Sequence, residues 1–345
     1  MFFFTRQRLT TIAFSLFGAI SFLALGLPLP FLLGPMFLCL AGAVAGAKLQ
    51  SLGVIETIFR TILGVAAGAS ITPDIIVQIP TMAQSLAVLP IFVAVVAATS
   101  YPLMRRVFGF DHVTSFFSAM PGGLQDLMVF GEEAGANLRS LALVHATRVL
   151  MIVSIMPLIM VTFWAVDLSQ SPGTPTVETP TQQLLLFVAA GLGGWQIAKR
   201  IGIFGASIIG PMIVSAALSI SGIITQRPPA EMIWAAQFFI GLTVGAKYTG
   251  ITFSEIKHIV FAGVANGLLL STISAVFVIA IITAGLGSSM DALLAYLPGG
   301  QGEMVVLALI AGADLTYVVL HHVLRIFLVV TCAPLVFKMF ERDRK

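Results

Sequence analysis

The sequence predicts an all-α integral membrane protein: two inverted-topology repeats, about ten transmembrane helices and two re-entrant helical hairpins broken at Pro-Gly-Gly. Three observations predict it. The first is composition: 58% of the 345 residues are hydrophobic and 10% are charged. A soluble domain has about 45–50% apolar and about 25% charged residues. No water-soluble core of this length hides so much apolar surface, which excludes a soluble enzyme, a disulfide scaffold, a disordered chain and a classical DNA-binding protein. The 32 Gly and 17 Pro fit the same class, because both are commoner in membrane helices than in soluble ones. The second observation is the spacing of apolar runs, and the third is a motif series that occurs twice.

A membrane-crossing helix needs about 20 apolar residues. Ten stretches qualify: 9–27, 29–47, 54–71, 81–104, 140–166, 183–198, 203–222, 232–247, 258–285 and 315–338. The first has Arg6 and Arg8 ahead of it, as a signal peptide would. It is long for such a segment and has a counterpart inside the chain, so it reads as an uncleaved span. In the second, Gly34-Pro35-Met36 thins the helix for a packed hairpin, and Gly42 and Gly46 form a small-x-x-x-small stripe. In the third, Glu56 and Arg60 stand at i,i+4 and read as a self-neutralising pair near an interface.

Two further apolar segments, 112–131 and 289–311, are interrupted by Pro121-Gly122-Gly123 and Pro298-Gly299-Gly300. Pro lacks an N–H and Gly weakens helix interiors, so each segment reads as two half-helices around a break. Asn137 and Asp314 follow Ala-Gly-Ala and stand as N-caps of long helices. Glu132 and Glu133 have apolar counterparts, Leu309 and Ile310, and read as solvated. Residues 167–182 form a polar linker, which divides the chain into a first membrane repeat at 1–166 and a second at 183–345. Cys39 and Cys332 lie in apolar runs and read as small packing side chains.

The repeat has an offset of about 177 residues, as from His145 to His322 and from Arg148 to Arg325. Met-Pro-Gly-Gly-Leu-Gln-Asp answers Leu-Pro-Gly-Gly-Gln-Gly-Glu, Leu33-Gly34-Pro35-Met36 answers Ile209-Gly210-Pro211-Met212, and Gly64…Gly68 answers Gly241…Gly245. Four motifs in one order argue for duplication. Lys and Arg accumulate in cytoplasmic loops. With both Pro-Gly-Gly segments re-entrant and the N-terminus inside, all but four of the 18 Lys and Arg fall on the cytoplasmic side. Arg227 lies outside, and Arg60, Arg148 and Arg325 lie within spans. Five spans per repeat is an odd number, so the repeats have opposite orientations and both termini are cytoplasmic. The first hairpin enters from the cytoplasm, the second from outside, and the linker is external.

Inverted repeats with broken helices are the architecture of many secondary transporters, whose site lies near the midplane where half-helix ends meet. Charge at membrane depth is costly and finds a partner or lines a pathway. His145 and Arg148 share one helix face at i,i+3, as do His322 and Arg325, with His321 beside them. Asp126 and Glu303 follow the two breaks and fall in the first turn of the second half-helix, where the dipole favours a carboxylate. The candidate solute- or ion-binding set is therefore Gly122, Gly123, Gln125, Asp126, His145, Arg148, Gly299, Gly300, Gln301, Glu303, His322 and Arg325. In this reading Arg148 and Arg325 meet the carboxylates or a bound anion. The competing reading is a set of buried pairs that lock the hairpins to the scaffold. His protonation offers a route for proton coupling, against the plainer role of hydrogen-bonded packing.

With Gly-Pro-Met early and Met/Leu-Pro-Gly-Gly-x-x-Asp/Glu late in each repeat, the chain resembles the bacterial membrane AbrB-duplication family, which also carries an ammonia monooxygenase label. The resemblance covers essentially the whole chain. It implies a multi-pass protein of the bacterial inner membrane and suggests regulation of gene expression or an oxygenase. The residues favour a carrier of a small solute, with the paired arginines pointing to an anion; a membrane regulator acting indirectly is the alternative. Oxidation ranks last: none of the five His forms a His-x-x-x-His or facial-triad spacing within one helix. No basic module serves direct nucleic-acid binding. The implied partners are the lipid bilayer and a small solute. Substrate, coupling ion, cofactor, metal and oligomeric state stay open, a homodimer being one option.

Overall fold

The computed structural model describes residues 5–71, 73–168, 171–203 and 205–342. The side chains of Gln125, Asp126 and Arg342, and the whole of Arg344 and Lys345, lie outside the described residues. Every regular element among the described residues is helical. The elements are α1 (Arg6–Ala24), α2 (Pro30–Val44), α3 (Val54–Ala69), α4 (Pro73–Pro102), α5 (His112–Ala119), α6 (Leu124–Ala134) and α7 (Leu138–Trp164). There follow α8 (Thr181–Arg200), α9 (Ala206–Ile220), α10 (Ala230–Ala246), the single turn α11 (Phe253–Glu255), α12 (Phe261–Thr283), α13 (Ser289–Tyr296), α14 (Gln301–Ala311) and α15 (Leu315–Arg342). A π-helical turn, Leu103–Val107, ends α4, and another, Ile256–Val260, opens α12.

A helix coincides with each of the ten apolar stretches read from the sequence. Among the described residues, five helical segments are long and apolar enough to cross a membrane: Arg6–Ala24, Met82–Val107, Leu138–Trp164, Phe253–Thr283 and Leu315–Met339. Large apolar side chains such as Phe17, Leu158, Phe163, Ile279 and Phe327 stand exposed on these helices. Apolar surface of that extent belongs against lipid rather than water.

Local chemistry sets the ends. Thr5 caps α1 by accepting from Arg8 N at 3.2 Å. Asp111 caps α5 by accepting from Thr114 N at 2.9 Å. Asn137 caps α7 by accepting from Ser140 N at 3.0 Å, the role its position predicts. Pro30 opens α2, where its missing N–H costs nothing. Gly135 closes α6 with φ +84°, a left-handed position that favours glycine.

The chain divides into two compact units, each drawing segments from both halves of the sequence. The first comprises Met1–Val77, Ser154–Thr252 and Gly302–Thr316. Its helices cross at glycines. A Cβ on Gly18 would stand 2.2 Å from the carbonyl oxygen of Gly34, and one on Gly210 would stand 2.2 Å from that of Gly194. A Cβ on Gly64 would meet Ile208 O at 2.3 Å, and one on Gly241 would meet Leu32 O at 2.2 Å. Gly68 faces Met212 O, and Gly245 faces Met36 O. Each contact has its counterpart at the sequence offset already noted. Small residues let helix backbones approach closely enough to gain dispersion energy without a side chain between them.

Three expectations change here. Gly34 and Gly210 thin α2 and α9 against α1 and α8 rather than against a hairpin, because the facing positions, Gly18 and Gly194, are also glycine. Of the pair Gly42 and Gly46, only the first packs, against the Phe14 ring; Gly46 has φ +90° and ends the helix. The Glu56 carboxylate accepts from Leu52 N at 2.6 Å and from Ser51 Oγ at 3.0 Å, satisfying orphan donors ahead of α3. The Glu56–Arg60 pair is absent from the ion pairs among the described residues. In the linker, Thr176 donates through N and Oγ to the Glu231 carboxylate at 2.9 and 2.7 Å. Cys39 is buried and Cys332 is exposed, both free thiols.

The second unit comprises Gln78–Val153, Phe253–Gln301 and Tyr317–Lys345. Phe92 and Tyr296 centre one apolar cluster, and Phe116, Phe117 and Phe337 centre another. The two Pro-Gly-Gly breaks lie in this unit.

Candidate functional site

Both breaks form as the residue types require. α5 ends at Ala119 and α6 resumes at Leu124; α13 ends at Tyr296 and α14 resumes at Gln301. Met120 (φ −73°, ψ 133°) and Leu297 (φ −63°, ψ 132°) turn the backbone extended. Residues ahead of Pro avoid the helical region, so the chain leaves the helix at these positions. The last carbonyls of α5 and α13 then lack helical partners.

The His-Arg face of α7 supplies them. His145 Nε2 lies 3.1 Å from Phe117 O. The Arg148 guanidinium donates to Met120 O at 3.2 Å and to Gly122 O at 3.4 Å. α15 treats the second break in the same way. His322 Nε2 lies 2.9 Å from Leu294 O. Arg325 donates to Leu297 O at 3.0 Å and to Gly299 O at 3.5 Å. Every acceptor in one set is the counterpart of an acceptor in the other. His145, Arg148, His322 and Arg325 are all buried.

The hydrogen bonds decide the state of His322. Arg325 Nη2 donates to His322 Nδ1 at 2.8 Å. Arg carries no acceptor, so Nδ1 accepts and the proton sits on Nε2, facing Leu294 O. This is neutral imidazole. His321 points elsewhere: its Nδ1 lies 2.7 Å from Tyr317 O and its Nε2 lies 3.0 Å from Ser85 Oγ.

The electrostatics are unusual for buried cations. The described partners of Arg148 and Arg325 are carbonyls at the ends and breaks of the half-helices, and a helix C-terminus carries the negative end of the dipole; the carboxylate of Asp126, which the sequence sets near Arg148, lies outside the described residues. Within this unit the ion pair among the described residues is Arg139–Glu255, at 2.9 Å, and neither Arg148 nor Arg325 belongs to it. The Nε of each makes no hydrogen bond among the described residues. Of the remaining predicted residues, Gly122, Gly123, Gly299 and Gly300 form the breaks themselves. Gln301 opens α14 with Nε2 buried and without a partner among the described residues. Glu303 lies buried in the first turn of α14, within the other unit. Among the described residues no three His, Cys, Asp or Glu side chains gather as metal ligands do.

Sequence reasoning missed two supports on α12. Asn266 Nδ2 donates to Ser118 O at 3.3 Å, and Ser100 Oγ donates to Asn266 Oδ1. Ser274 Oγ donates to Tyr296 O at 3.1 Å. One helix thereby holds the ends of both α5 and α13. The signal for Asn266 was available: an amide inside an apolar run at membrane depth marks a buried partner.

This arrangement runs through a chain whose residues 9–341 match the family model described as "Transition state regulatory protein AbrB". The chain belongs to the AbrB family. Relatives of this AbrB-family chain include "Uncharacterized protein YhjN" of Bacillus subtilis (strain 168), 26% identical over 299 residues, covering 82% of this chain and 77% of that protein. "Putative regulator AbrB" of Escherichia coli (strain K12) is 25% identical over 341 residues, covering 93% of this chain and 92% of that protein. The AbrB-family chain is thus helical in every regular element among the described residues and of membrane character.

Proposed function

We propose that this AbrB-family protein is a secondary carrier of a small anionic solute in the bacterial inner membrane. Its site comprises the two Pro-Gly-Gly breaks with Arg148 and Arg325 between them and the α7 and α15 scaffold. One observation carries the reading. Two buried guanidiniums face two helix breaks, spend part of their donors on backbone carbonyls, and keep an Nε without a hydrogen bond among the described residues. A buried cation is costly, and an incoming anion offsets that cost at both arginines at once. Irregular backbone at membrane depth belongs where it lines a cavity.

Two five-span repeats of opposite orientation, with a polar linker at 167–182 and both termini cytoplasmic, complete the proposal. The motif series and the glycine contacts that recur at the same offset support it. Within the second unit the members assigned to the solute or a coupled ion are Gly122, Gly123, Gln125, Asp126, His145, Arg148, Gly299, Gly300, Gln301, His322 and Arg325, the arginines binding negative charge and the glycines opening room for it.

The test is uptake of labelled sulfate and small carboxylates into proteoliposomes. Wild type should accumulate at least one of them. Arg148→Gln and Arg325→Gln should lose at least tenfold in uptake while still reaching the membrane. Loss of membrane accumulation in both variants would leave the arginines a purely structural role. A regulatory reading rests on the names of the family and of one relative. Anion binding without flux, joined to a transcriptional change on deletion, favours it.

A further inference from the structure

An apolar groove of about 580 Å³ lies in the second unit between α4 and α15, and neither arginine lines it. The two helices line it in parallel. Leu89 and Phe92 of α4 cluster with Leu324 and Leu328 of α15, while further along both helices Tyr101 hydrogen-bonds His112 at 2.8 Å and His112 stacks on Phe337. Its walls are small and apolar: Ala94, Ala97, Cys332 and Val336, with Phe116 and Met120 behind. Ala94, Cys332 and Val336 are exposed, so the groove opens sideways from the helices. Its volume lies in the range of ligand sites, roughly 300–1,000 Å³.

Charge is concentrated at one end. One turn beyond Tyr101 the π-helical turn presents Arg105 and Arg106, and one residue beyond Phe337 stands Lys338; all three are exposed. Arg105 turns back to donate to Phe110 O at 2.7 Å, which holds the turn in place. An apolar slot open to lipid with cations at one mouth matches an anionic lipid: the chain fills the slot and the headgroup meets the cations. A polar solute or a water-filled channel has no use for walls of this kind, and a neutral apolar molecule has no use for the cations at the mouth.

We infer that the α4–α15 groove binds an acyl chain of an anionic phospholipid such as phosphatidylglycerol, whose headgroup lies against Arg106 and Lys338. This inference stands apart from the carrier reading and needs only the membrane character of the chain. The experiment uses the full-length protein in detergent with phosphatidylglycerol carrying a photoactivatable acyl chain, followed by peptide mapping and native mass spectrometry. Adducts should concentrate on the segments holding Ala94–Ala97 and Cys332–Val336. Native spectra should show tighter retention of phosphatidylglycerol than of phosphatidylcholine. Each of Arg106→Gln and Lys338→Gln should weaken retention about fivefold, the value of ~1 kcal/mol per basic residue near an anionic surface. Ala97→Phe should abolish the groove adducts but leave those on outward faces such as that of Phe17. Cys332→Phe does the same from the other wall should the first variant accumulate poorly. Adducts spread evenly over all outward faces, equal retention of phosphatidylcholine, or Cys332-to-Cys332 cross-linking that seals the groove with a second copy would overturn the assignment.

Discussion

At the residue scale the chemistry turns on what a buried cation can accept as a partner. Arg148 and Arg325 each span two carbonyls of a helix break. The planar fork of Arg suits that geometry, and a Lys, with one point charge, would not bridge both. Arg325 also fixes the neutral tautomer of His322, so any proton uptake at that imidazole must first break the Arg325 bond. A more tractable proton site lies at the surface. Glu231 sits just ahead of the apolar stretch 232–247 and accepts from both Thr176 donors, which lowers its carboxyl below the ordinary 4.5. A depressed carboxylate stabilises the fold above the ordinary value, and that contribution disappears as pH falls through the lowered one. The melting-temperature gap between wild type and Glu231→Gln should therefore be constant at neutral pH and should close below pH 4.5. A gap that widens on acidification would refute the linkage.

At the element scale, helix ends and helix crossings do different work. The Pro-Gly-Gly breaks create unpaired carbonyls that the neighbouring long helix caps, so the sequence cost of a break is met by basic residues on another element. Crossings depend on bare backbone. A Cβ on Gly68 would lie 2.2 Å from Met212 O, and neither backbone can yield. On the same physical grounds Gly193, in α8, has nothing within 4 Å of its Cβ position. Gly68→Ala should abolish accumulation of folded protein. Gly193→Ala should leave it intact and raise stability by up to about 1 kcal/mol, the helix-propensity gain; thermal melts in detergent compare the two. Equal behaviour would remove the close-crossing account. The π-helical turns break the regularity. They occur at opposite ends of α4 and α12, yet lie together, with His258 Nε2 2.8 Å from Phe108 O.

At the scale of the whole molecule, duplication and orientation are the issue. In a chain freed of Cys39 and Cys332, single cysteines at Ser171 and Ser288 should react with a membrane-impermeant maleimide added to whole spheroplasts. One at Glu133 should react only after the membrane is opened. Ser171 and Glu133 are exposed positions, so lack of labelling would reflect sidedness rather than burial. Labelling of Glu133→Cys from outside would contradict the five-span repeat. The lipid groove belongs to this scale as well, since the basic residues that set orientation also stand at its mouth.

The sequence by itself determined where the helices lie, because apolar run length and Gly/Pro placement are local properties. It also determined that His145 shares a face with Arg148 and His322 with Arg325, since residues three apart on a helix do so, and that each break would interrupt its helix. It did not determine what lies opposite that face. The sequence offered the carboxylates that follow the breaks, Asp126 and Glu303; the described partners of the arginines are main-chain oxygens, which every residue carries and no pattern of side chains reveals. Asn266 and Ser274, on a helix more than a hundred residues from the first break, entered the site for the same reason. Periodicity specifies a face; only the packing of distant segments specifies its partner.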